Sequence, residues 1–106
     1  MTEHARSLLD GLPAAERIRA GIADLDAGVR SADALLVAVA AQRLREAGLA
    51  VPRQDRLPRE PELELYAALA RTGTDPYYAY RAALAELDSF IAALERRQRT
   101  RERRPA

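Results

Sequence analysis

Between residues 77 and 94 apolar side chains recur at Tyr77, Tyr80, Leu84, Leu87, Ile91 and Leu94, in strictly alternating steps of three and four. That spacing lays one unbroken apolar seam along an α-helix, so a chain that carries it must pack a long helix against something. The next positions in the same phase are Gln98 and Arg101, inside a segment that holds Arg96, Arg97, Arg99, Arg101, Arg103 and Arg104. The seam therefore stops and the chain ends in charge. Residues 1–97 read as a single helical domain, and residues 98–106 as an Arg-rich tail, a solvated and fraying helix end.

A second seam runs through Ile18, Ile22, Leu25, Val29, Ala32, Leu36 and Val39 by fours and threes. Its phase passes straight through Ser31, which would otherwise look like a cap opening a new helix. A chain that turned at residues 28–31 would have no reason to keep phase. The spacing therefore predicts one long helix over residues 13–47 in preference to a helical hairpin, about 52 Å long at 1.5 Å per residue. Such a helix needs a companion along most of its length, supplied by the C-terminal helix or by a second copy of the chain. Residues 34–41 are apolar on every side, which implies burial all round. Ala14, Gly21 and Gly28 recur at heptad spacing, and a stripe of small residues permits close helix approach. Together these features favour a homodimer, intertwined or side by side.

The remaining punctuation completes the architecture. Thr2 suits the cap of a short helix over residues 3–10, ended by Gly11, and Pro13 suits a first helical position. Gly48 ends the long helix, and residues 49–60 form a connector broken by Pro52 and Pro58. Pro61 opens a short helix, with Glu60, Glu62 and Glu64 near the positive end of its dipole and Leu65, Ala68 and Leu69 facing inward. Gly73 closes it. Asp75 then caps and Pro76 begins the last helix. No segment alternates apolar and polar residues as a strand does. The fold class is all-α: a small helical bundle of one long N-terminal helix, a Pro/Arg connector, a short helix and a long C-terminal helix.

Composition narrows the chemistry. The chain has no cysteine, which excludes disulfides and thiolate metal sites and makes a reducing compartment the simplest home. No apolar run approaches the roughly 20 residues of a membrane span, and the first residues lack a signal-peptide layout, so a cytoplasmic address without membrane contact is expected. All 17 basic residues are arginine, with neither Lys nor Asn present, a bias that GC-rich coding produces by itself. Residues 95–104 carry a charge of +4 and leave −3 for residues 1–94, which argues against a broad nucleic-acid surface on the folded part. The one histidine, His4, lies near a terminus. No carboxylate or histidine spacing suits a metal, and Asp24 and Asp26 point in different directions on a helix. No metal or cofactor is expected.

One kind of catalysis needs none of these groups. A pericyclic rearrangement requires a shaped, dry pocket with cationic donors placed on an anionic substrate, and arginine supplies such donors. The helix order, the pattern Arg19-x-x-Ile22-x-x-Leu25-Asp26, the pair Arg59-Glu60, and Asp75-x-x-Tyr78-x-x-Arg81 with Asp88-Ser89 resemble the all-helical chorismate mutases. That resemblance covers most of residues 17–98. It implies an intertwined dimer with sites between long helices and arginines gripping substrate carboxylates. The family's second first-helix arginine falls near Leu36, with Arg43 the nearest candidate.

Three functional readings follow. The leading one is a non-enzymatic helical module that binds another protein chain and dimerises through its two seams. The second is a chorismate-mutase-like enzyme without a cofactor, or a binder of small aromatic dicarboxylates, using Arg19, Arg43 and Arg59 with Glu60 and Tyr78 nearby. The third is a nucleic-acid accessory protein acting through Arg96, Arg97, Arg99, Arg101, Arg103 and Arg104. Among the aromatic residues, Tyr77 and Tyr80 fit the core seam, while Tyr78 points elsewhere and suits a partner anchor or a pocket wall.

Overall fold

The computed structural model describes residues 9, 11–53, 55, 57–73 and 75–103, the last three by backbone alone. Its described elements are five helices: α1 (Ala15–Asp26), α2 (Ala32–Val39), α3 (Ala41–Glu46), α4 (Pro61–Ala70) and α5 (Pro76–Arg103). Among the described residues there is no strand, so the all-α expectation holds. Except for Leu9, which is helical, and Gly11, the helix expected over residues 3–10 lies outside the described residues, as do His4 and Arg104.

The single helix expected over residues 13–47 does not form. The chain turns after α1 and doubles back, and α2 packs along α1 as a hairpin. Gly28 takes φ +76, Val29 N donates to Asp24 O at 2.8 Å, and Gly28 N donates to Leu25 O at 3.1 Å. Those two bonds form a Schellman motif, which satisfies the last carbonyls of α1. Ser31 then caps α2: its Oγ accepts from Ala34 N at 3.1 Å and donates to Asp24 Oδ2 at 2.6 Å. The seam keeps phase across the turn because both arms of the hairpin face the same core, while Val29 at the bend is 49% exposed. A second interruption falls at Ala40 (φ −113), between α2 and α3. The need for a second chain alongside a 52 Å helix disappears, because the chain supplies its own companion.

Gly21 is what lets the hairpin close. A Cβ at this position would run into the Asp33 carbonyl and lie 2.6 Å from Val37 Cγ2. The stripe of Ala14, Gly21 and Gly28 thus separates into three roles. Ala14 is a left-handed residue (φ 61) that starts α1 two positions later than Pro13 suggested, Gly21 is a close approach within the chain, and Gly28 is a turn.

The all-round burial expected of residues 34–41 is found. Ala34, Leu35, Leu36, Val37, Ala38, Ala40 and Ala41 are buried, with Val39 partly so. This makes α2 the centre of the molecule, touched by α1, α4 and α5. The C-terminal seam completes the core through Leu87, Ile91 and Leu94, joined by Ala83 and Phe90. α5 continues to Arg103, and Gln98 Nε2 donates to Ala47 O at 2.6 Å. The connector's apolar residues pack down, with Leu49, Val51, Pro52 and Pro58 buried and Arg45 donating to the Val51 and Pro52 carbonyls, while Arg53, Asp55 and Arg59 stand in solvent.

Arg17 ties the hairpin to α5. Its Nε donates to Asp33 Oδ1 and its Nη1 to Glu86 Oε2, both at 2.7 Å. Burial opposes the charge and is the largest single influence, yet the two carboxylates together hold the guanidinium above the usual arginine range.

Candidate interaction surface

Helix α4 has more apolar residues than one face can use. Leu65 and Leu69 are buried, and Ala68 packs partly against the core. Leu63, Tyr66, Ala67 and Ala70 are all exposed, Leu63 at 64%. Their spacing of three, one and three is itself a helical stripe, set opposite the buried one. A ten-residue helix therefore carries two apolar faces, and the described chain covers one of them.

Among the tyrosines of α5, Tyr80 adjoins that face through Tyr66. Asp75 Oδ1 accepts from Tyr77 N at 3.0 Å and Tyr78 N at 3.4 Å, with Pro76 at the first helical position, as expected from the sequence. Tyr80 meets Tyr66 edge-on, with ring centroids 5.8 Å apart. Tyr77 stands one turn before Tyr80 on the same side of α5 and is 61% exposed, so its expected place in the core is corrected. The periodicity fixed which side of α5 faces inward. It did not fix how far along the axis the core reaches, and Tyr77 lies beyond it.

The arginines singled out from the sequence are dispersed. Arg19 lines a cavity of about 190 Å³ with Leu9, Ile22, Ala23, Asp26, Leu49 and Ala50, and neither Arg43 nor Arg59 lines that cavity. Arg43 is exposed and reaches Asp88 Oδ1 and Glu95 Oε1, each at 3.8 Å. Arg59 and Glu60 are exposed at the entry to α4, Glu60 being its N-cap residue without a side-chain cap bond. Tyr78 is 72% exposed but leaves α5 on the side away from Tyr80. Near the end of α5, Arg96 and Arg99 are exposed and Arg97 is half-buried, while Arg101 and Arg103 are placed by backbone only.

Sequence reasoning missed Leu63, Tyr66, Ala67 and Ala70 as a surface. The signal was present as seven apolar residues among the ten of α4, too many for a helix with one buried side. Among the described residues no three His, Cys, Asp or Glu side chains gather as metal ligands do, and no helix is long and apolar enough to cross a membrane. No family model matches this chain, no curated protein matches it, and no solved structure matches it.

Proposed function

We propose that this chain is a non-enzymatic helical interaction module that engages another protein chain through the outer face of α4 and the first turn of α5. The observation that carries the reading is the exposed stripe Leu63, Tyr66, Ala67 and Ala70, with Tyr77 exposed one turn before Tyr80, the ring that meets Tyr66. Large apolar side chains left in water on one face are costly unless something covers them, and clustered aromatic residues are the usual anchors of protein contacts. A photo-crosslinking amino acid placed at Tyr77, compared with the same group at Gln42, tests it. Gln42 sits on α3 next to Arg43, which reaches α5 at Asp88, about three turns from Tyr77. A discrete protein adduct from position 77 and none from position 42 is the expected result. Equal or absent labelling at the two positions would sink the reading.

A second reading has its own observation. Arg19, Ile22 and Asp26, three of the four residues of the chorismate-mutase-like pattern, line one cavity. In this reading the cavity takes a small aromatic carboxylate, with Arg19 as the cationic contact and the apolar walls of Leu9, Ile22 and Leu49 around the ring. A thermal-shift titration with aromatic dicarboxylates, repeated on Arg19→Gln, decides it. A shift of several degrees that the substitution abolishes supports a binder, and no shift removes it.

A further inference from the structure

The exposed face of α4 is matched to itself. Along the stripe the side chains run large, large, small, small: Leu63 and Tyr66 toward the N-terminal end, Ala67 and Ala70 toward the C-terminal end. A second α4 laid antiparallel about a two-fold axis near residues 66 and 67 sets Leu63 against Ala70 and Tyr66 against Ala67, and does so twice. A parallel mate would oppose large to large and small to small, which packs poorly.

The charges agree with the same arrangement. Glu60 and Arg71 flank α4 at its two ends, and both are exposed. They are eleven positions apart, close to three full turns, so they lie along one flank of the face. Neither has an ion-pair partner among the described residues. An isologous two-fold keeps each flank against the same flank of the mate, so Glu60 of each copy comes within about 3 Å, along the axis, of the level of Arg71 of the other, which the long arginine side chain spans. The neighbouring Glu62 adds to the acidic end, and antiparallel helix dipoles add to the attraction. Glu64, by contrast, is already held by Arg30 at 2.9 Å within the chain and stays out of the contact.

From this complementarity we infer that the occupant of the face is a second copy of the chain, docked α4 against α4 in antiparallel register. The inference rests on the interaction-module reading and names its partner. Tyr77, one turn before Tyr80, extends the contact at each end of the two-fold.

Sedimentation equilibrium over a concentration series tests it, with four variants beside the parent chain. Ala67→Glu adds charge at the centre of the contact without touching the core, and should raise the dimer dissociation constant by about tenfold or more while leaving the dilute protein's helix content unchanged. Glu60→Arg and Arg71→Glu should each weaken the dimer by about threefold to tenfold, and the double reversal should return it to within about threefold of the parent. A parent chain that stays monomeric at every concentration overturns the inference, and so does a double reversal as weak as the single ones. A monomeric parent that still gives a discrete adduct to a different protein from position 77 removes the self-docking while the interaction reading stands. A monomeric parent with no such adduct removes both.

Discussion

Gly21 and Gly28 are the same residue seven positions apart, and the backbone uses them for opposite purposes. At Gly21 the φ angle is ordinary and the space is not, since a Cβ would enter the Asp33 carbonyl; at Gly28 the space is open and the φ angle of +76 is the constraint. Gly21→Ala should therefore lower stability by about 1–3 kcal/mol through overpacking, despite the gain in helix propensity. Gly28→Ala should cost about 1–2 kcal/mol through left-handed strain alone. Urea denaturation separates them from the propensity argument, which predicts that Ala at position 21 stabilises. The sequence showed only the heptad spacing of Ala14, Gly21 and Gly28. Spacing reports which side of a helix a residue occupies, and these three do not share a helix interior.

The helical elements were legible to the degree that local chemistry determines them. Asp75-Pro76 gave the start of α5, Pro61 the start of α4, Gly48 the end of α3, and the apolar run over residues 34–41 the central position of α2. The turn between α1 and α2 was not, although Gly28 and Ser31 both signal it, because the apolar phase runs across it without a break. Here the seam positions on both arms, Ile18 and Leu25 on α1 and Leu36 on α2, point into one core, so phase alone did not distinguish the turn from a continuous helix. The cap can be measured directly. Ser31→Ala removes the bond from Ala34 N and the partner of Asp24, and should cost about 1 kcal/mol of folding stability, with the loss absent in a host where Asp24→Ala has already been made only if the Asp24 contact dominates. A change below about 0.3 kcal/mol would show that the turn is held by its backbone motif alone. The second face of α4 was hidden for a related reason: apolar periodicity marks one seam per helix, and α4 has two.

On the scale of the whole molecule, the candidate arginine site was the least legible part. Arg19, Arg43 and Arg59 were brought together by the chorismate-mutase resemblance, with Arg19 and Arg43 expected on one helix over residues 13–47 and Arg59 in the connector after it. Once the chain folds back at residues 27–31, Arg43 comes to Asp88 and Glu95 on α5 while Arg19 lines a cavity with Asp26 and Leu49. Arg17, which no motif marked, joins three helices. Because its folded pKa is raised, its stabilisation is present below the ordinary arginine range and is lost only as pH rises into strong alkali. Titration of Arg17 itself should therefore leave stability unchanged between about pH 5 and 9. Arg17→Ala should cost about 1 kcal/mol, a modest figure because Glu86 is more than half exposed, and coupling to Glu86 should fall as salt is raised.

The hairpin also sets an order of events in time. The Gly28 turn and the Ser31 cap join residues no more than seven apart, whereas Arg17 reaches Glu86 across 69 positions and Gln98 reaches Ala47 across 51. Contacts between near neighbours along the chain close quickly, and those across long loops must wait for the loop to be gathered in. Substitutions at Ser31 should therefore slow refolding, while those at Glu86 or Gln98 should leave refolding nearly unchanged and hasten unfolding. Stopped-flow chevrons would read the difference as which arm moves. A chain whose first two helices find each other before its last helix arrives has α5 as a latch: what fastens α5 decides how long the native state lasts, not how fast it forms.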